Sequence, residues 1–108
     1  MDRTVPRMRW WGWGEDGHDG PVKPGAKVML SKHCGWPAGV DRPHAALEDV
    51  SLPEPRLSPD VRARFVKTVG EDFVRDDHAV RVSHAAGRSL PDLIRLRSGE
   101  LVTAPDAV

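Results

Sequence analysis

Proline and glycine set how long any element of this chain can run. There are ten of each. Between Gly12 and Pro43 one or the other recurs every few residues, and Pro53, Pro55 and Pro59 follow. Proline fixes φ and removes a backbone donor, and glycine favours turns and helix ends. The spans Gly25–Gly35, Pro59–Gly70, Gly70–Gly87 and Pro91–Gly99 leave room for short helices. The chain is therefore expected to be a set of short pieces, mainly α with short extended segments, and not a complete independent domain. Hydrophobic residues make up 39% and charged ones 30%, so a core is possible but marginal.

The charge pattern excludes some classes of partner. The formal net charge is zero and the signs alternate, so no field points to nucleic acid or an anionic membrane. Arg3, Arg7 and Arg9 against Asp2 make a mildly basic, solvated start. Cys34 is the sole cysteine, which fits a reducing compartment. No apolar run approaches the ~20 residues that span a bilayer, and no apolar stretch follows the first arginines as in a signal peptide. A soluble cytoplasmic protein is expected.

Trp10, Trp11 and Trp13 lie in WWGWG. Each indole can bury on the order of 200 Å², yet the surrounding glycines forbid long regular structure. An extended segment that lays its indoles on other structure is expected. Gly12 to Gly17 spells GxGxxG. A dinucleotide loop needs a strand before it and a helix opening on it. Here Gly20-Pro21 follows at once, and Glu15 and Asp16 would face the phosphates. It reads as a glycine-rich turn.

Four short helices are expected. The first spans about 26–34 and ends at Gly35. Its His33 and Cys34 lack the spaced companions of a zinc site, and Cys34 reads as a small buried thiol. Residues 36–57 form a proline-rich connector, with Leu47, Val50 and Leu52 in one short strand or extended contact over ALEDVSL. The second helix spans 58–69. Ser58 is its N-cap, Pro59 opens it, and Val61, Phe65 and Val69 form a stripe at i, i+4 and i+8. An extended piece over 71–75 turns Phe73 and Val74 inward. The third helix, about 77–86, presents Ala79, Val80, Ser83, His84 and Gly87. The fourth, about 91–97, buries Leu93, Ile94 and Leu96 but not Arg95 or Arg97. Residues 100–108 read as extended, with a strand starting at Asp106-Ala107-Val108.

Asp76, Asp77, Arg81, His84 and Arg88 are the polar residues that could carry chemistry. They could be an acid–base set. They could equally be a cap, an exposed Asp77–Arg81 pair and a half-buried histidine. If Arg81 is buried, it would orient backbone carbonyls and carboxylates of a neighbouring domain. No nucleophile or phosphate loop accompanies them, so no catalytic, cofactor-binding or metal-binding residue is assigned.

Arg9-Trp10-Trp11-Gly12-Trp13-Gly14 resembles the W-x-G-W-G start of the alkyldihydroxyacetonephosphate synthase family (alkylglycerone-phosphate synthase and its bacterial FAD-binding oxidase relatives). Asp76-Asp77, Arg81, Gly87, Asp92-Leu93, Leu96-Arg97, Gly99 and Pro105-Asp106-Ala107-Val108 resemble the family's segment leading into its FAD domain. Residues 15–57 are only loosely similar. The resemblance implies a flavoprotein of the vanillyl-alcohol-oxidase/p-cresol-methylhydroxylase type. Its FAD domain would start at P-D-A-V, and a substrate-cap domain would follow. FAD is then the cofactor of the full-length family and not of this chain alone.

The implied layout is an extended Trp/Gly/Pro-rich arm over 1–57, a helical segment over 58–99 and the start of an FAD-domain strand over 100–108. An N-terminal fragment, inactive alone, is expected. Its partners would be the FAD and substrate-cap domains, and the full-length form leaves room for a homodimer. Ether-lipid precursor synthesis and hydroxy-substrate oxidation are both open for that form. The alternative is a small non-enzymatic module docking through WWGWG.

Overall fold

The computed structural model describes residues 8–15, 17, 20, 22–37 and 43–108. The basic start at Arg3 and Arg7, Asp16 and the connector residues 38–42 lie outside the described residues. The chain is mainly α, in agreement with the punctuation. Its helices are α1 (Pro24–Cys34), α2 (Pro59–Val69), α3 (His78–Ser83) and α4 (Leu90–Ser98), with 3-10 turns at Leu47–Asp49 and Glu71–Phe73. Among the described residues the isolated bridges Met8–Glu15 and Ser51–Glu100 stand in place of a sheet.

Caps account for the helices that were easiest to anticipate. In α2 the Ser58 hydroxyl accepts from the Val61 N–H at 3.3 Å, Pro59 opens the helix and Gly70 closes it. In α4 the Ser89 Oγ accepts from the Asp92 N–H at 3.3 Å and donates to the Asp92 carboxylate at 2.7 Å, a short version of the capping box. Gly99 ends α4 at φ 76°. A Cβ there would be left-handed and strained, and it would sit 3.5 Å from the Ala45 methyl.

The core is small and off-centre. It comprises Val50, Val74, Val80, Val82, Leu93 and Leu96. Leu93 and Leu96 are one turn apart on α4, and Ile94 lies off that face and is exposed, contrary to expectation. Helix α3 is shorter than expected. The Ser83 hydroxyl donates to the Ala79 carbonyl at 2.8 Å and His84 Nδ1 donates to the Val80 carbonyl at 2.9 Å. Side chains that bond the preceding turn in this way weaken continuation of a helix, and the chain turns off after Ser83. So Val82, fully buried, takes the inward place expected for His84, while His84 and Gly87 face outward.

The connectors complete that core. Val50 packs in just after the 3-10 turn, where a short extended contact was expected. The Ala45 N–H donates to the Arg97 carbonyl at 2.8 Å, tying the connector to the end of α4. Arg75 and Val108 exchange two backbone hydrogen bonds, of 2.6 and 2.7 Å. Residues 71–73 form a 3-10 turn instead of an extended piece, so Phe73 points outward while Val74 is buried.

Helices α1 and α2 bury no side chain. The α2 stripe forms in the phase the sequence dictates, but Val61, Phe65 and Val69 remain 38%, 52% and 49% exposed. The surface area is 8384 Å², where a closed fold of this mass exposes about 5,900 Å². The radius of gyration is 18.0 Å against about 13 Å for a compact chain of this length. The apolar faces outnumber what the chain's own core covers.

Candidate functional site

The tryptophan segment folds back on itself. Met8 pairs with Glu15, and the Arg9 N–H donates to the Gly14 carbonyl at 2.9 Å. The loop between them holds the three indoles. Arg9 is buried inside it, and its guanidinium donates to the Glu15 carbonyl. A Cβ at Gly12 would lie 3.2 Å from the Arg9 side chain, so a larger residue there would require that side chain to shift slightly.

Trp11 lies at the centre of a stack. His44 is parallel to it, with ring centroids 4.3 Å apart and 12° between the planes. The Arg9 and Arg97 guanidiniums sit 4.6 Å and 5.1 Å from its ring. Trp10 meets the His44 edge at 5.5 Å. The quadrupole of an aromatic ring attracts cations over its face and favours edge contacts. Two of the three indoles thus find their cover inside this chain, on His44, Arg9 and Arg97. Trp13 stays 62% exposed, with its Nε1 donating to the Arg88 carbonyl at 2.9 Å.

Two arginines join distant segments. Arg81 is 6% exposed. Its Nε donates to the Pro105 carbonyl at 2.8 Å and its Nη2 to the Pro53 carbonyl at 2.6 Å. Arg88 donates to the carbonyls of Arg9 and Trp10 at 3.2 and 3.1 Å and to that of Ser83 at 3.4 Å. Both are charged donors to backbone carbonyls, which are stronger than neutral ones. They bind α3 and its following turn to the tryptophan loop, the connector and the 100–108 stretch.

The acid–base set weighed from the sequence does not converge. Asp76 pairs with Arg62 at 3.0 Å, and Arg62 also reaches Glu71 at 3.3 Å. Asp77 pairs with Arg75 at 2.7 Å, not with Arg81, because Arg81 is turned into the interior. That hydrogen bond from Arg75 holds the Asp77 carboxyl below its ordinary value, against a smaller opposing effect of burial. His84 is occupied with the Val80 carbonyl. These residues hold the fold together, and the buried Arg81 bonds carbonyls of its own chain, at Pro53 and Pro105, where groups of a neighbouring domain were expected. His78 was not singled out, yet its Nε2 donates to the Leu47 carbonyl at 2.9 Å.

The GxGxxG run does not fit a dinucleotide pyrophosphate. Gly12 to Glu15 belong to the paired loop just described, Gly14 and Gly17 are both at φ 83°, and the first helix among the described residues starts only at Pro24. Cys34 is exposed, not buried, because α1 packs no face inward. Among the described residues no group of three or more His, Cys, Asp or Glu is placed to hold a metal ion, and no helix is long and apolar enough to cross a membrane. A cleft of about 420 Å³ lined by Pro43, Ile94, Arg97 and Ser98 lies beside the tryptophan stack, but it contains no acid–base pair.

No protein-family model matches the sequence. Protein Rv2250A of Mycobacterium tuberculosis is 30% identical over 107 residues, which is 99% of this chain and 71% of that protein. Alkyldihydroxyacetonephosphate synthase of Dictyostelium discoideum is 27% identical over 92 residues, 79% of this chain but 15% of the synthase. Among solved structures, alkyldihydroxyacetonephosphate synthase in a P1 crystal superposes with a TM-score of 0.74 at 26% identity. Its P212121 form gives 0.73 at 25%. Each covers 94% of this chain and 22% of the synthase chain. The chain spans about a fifth or less of the synthase it resembles, and with 30% identity over 71% of Protein Rv2250A it belongs to the family of that protein.

Proposed function

We infer that this chain is a non-catalytic structural segment of an alkyldihydroxyacetonephosphate synthase-like flavoprotein, inactive by itself. The observation that carries the reading is the superposition at TM-score 0.74 over 94% of this chain and only 22% of the synthase. The uncovered α2 stripe supports it, since a segment of a larger protein leaves faces for the remainder to cover. Residues 1–57 would be the arm, residues 58–99 the helical lead into an FAD domain, and residues 100–108 the entry to that domain's first strand. FAD and the catalytic groups would reside in that domain and a substrate-cap domain. The chemistry of the whole would be ether-lipid precursor synthesis or oxidation of a hydroxy substrate, in the cytoplasm. The alternative, a module docking through WWGWG, is disfavoured because Trp10 and Trp11 already pack on His44.

A graft tests this reading. The matched stretch of the Dictyostelium synthase is replaced by this chain, and flavin content and synthase activity are measured. A soluble, flavin-loaded, active graft is expected. A graft that folds, binds flavin and is inactive, or one that fails to fold, would refute the assignment.

A further inference from the structure

We propose that Arg81 is a positioning residue: it fixes the direction in which the chain runs out towards Val108, and so the register in which the flavin-domain strand is laid down. The proposal rests on the reading above. Val102 is 89% exposed and Thr103 is exposed as well, so packing alone does not hold the stretch after α4. Polar ties add to it. Ser51 bridges Glu100, the Arg56 N–H donates to the Asp106 carboxylate at 3.0 Å, and Arg75 and Val108 exchange two backbone hydrogen bonds. The Arg56 tie is exposed, where water competes for both groups.

Arg81 adds a tie that is both charged and buried. Its Nε and Nη2 reach the carbonyls of Pro105 and Pro53. A guanidinium is planar and rigid, so one side chain fixes how far the exit stretch lies from the connector. The group cannot move into water without leaving two carbonyls unpaired. Arg75 stands just ahead of α3 (His78–Ser83), the helix that carries Arg81, and its pairing with Val108 lies just past Pro105. Arg81 and Arg75 therefore grip one stretch at two successive points from one element. A single grip would set only a place; two set a direction. A flavin domain entered through this stretch inherits that direction. A displacement of about 1 Å can cost about a hundredfold in rate even when it starts far from the chemistry.

The synthase graft supplies the flavin domain for the test. In it, Arg81→Met is compared with Leu96→Ala, a fully buried α4 position whose truncation opens a cavity without removing a hydrogen bond to residues 100–108. Hydrogen exchange over residues 104–108 and the flavin Kd are read in both. Arg81→Met should speed that exchange and raise the flavin Kd about tenfold, and Leu96→Ala should leave both within about twofold of the parent graft. Arg81→Lys, which keeps the charge but not the fork, should fall between. Equal effects in Arg81→Met and Leu96→Ala, or either readout unmoved in Arg81→Met, would overturn the proposal and leave the structural-segment reading standing. Should Arg81→Met not fold, Arg81→Lys against Val82→Ala makes the same comparison with the same deciding outcomes. A parent graft without flavin refutes the structural-segment reading, and this proposal with it.

Discussion

Replacing Phe65 with serine should have two different costs depending on what surrounds α2. The ring is 52% exposed in this chain. A phenylalanine side chain has on the order of 200 Å² to bury, so about 100 Å² remains to be covered. At ~25 cal/mol per Å² the cover would contribute about 2.5 kcal/mol. In the isolated chain that area faces water in both variants, so Phe65→Ser forfeits only the contacts the chain itself makes. In the synthase graft the same substitution should cost about 2–3 kcal/mol more than in the isolated chain. Far-UV circular dichroism of the isolated chain and urea denaturation of the graft give the two values. Equal small costs would mean that nothing docks on α2, and equal large costs that the stripe is already buried in the chain alone. Either result refutes the reasoning.

Other substitutions probe the internal ties. Arg81→Met leaves the Pro53 and Pro105 carbonyls without their charged donor and should cost about 2–4 kcal/mol in urea denaturation of the graft. Arg81→Lys should recover less than half, since an ammonium lacks the planar fork that spans both acceptors. Gly99→Ala forces a left-handed alanine against Ala45 and should cost about 1–2 kcal/mol in the same assay. Arg75 lowers the Asp77 carboxyl, so the contribution of this pair is complete above the ordinary carboxylate range and fades as pH falls through the lowered value. Asp77→Asn should therefore lose no more than about 1 kcal/mol at neutral pH, and its difference from the parent should shrink below about pH 4.

How much could be read from the sequence follows from the range of the forces involved. Helices α2 and α4 were legible because Ser58, Pro59 and Gly70, and Ser89, Pro91 and Gly99, are local signals within a turn of the ends they set. The end of α3 was not, because it depends on Ser83 and His84 bonding the preceding turn. Ile94 was misplaced because apolar character alone does not say which side of α4 is buried; Leu93 and Leu96 are, and Ile94 is not. The Trp11 stack joins Arg9, His44 and Arg97, residues far apart in sequence whose meeting no periodicity encodes. Arg81 illustrates the middle ground. That a buried arginine would bond backbone carbonyls was legible, but the partners at Pro53 and Pro105 are set only by the fold.

The central claim is that this chain leaves its apolar faces for another body to cover. Differential scanning calorimetry of the isolated chain, followed in parallel by tryptophan emission, tests it most directly. The predicted result is a broad, weakly cooperative transition with red-shifted emission from Trp13. A sharp two-state transition, with calorimetric and van't Hoff enthalpies equal and near the ~70 kcal/mol of a closed domain of this size, would contradict it.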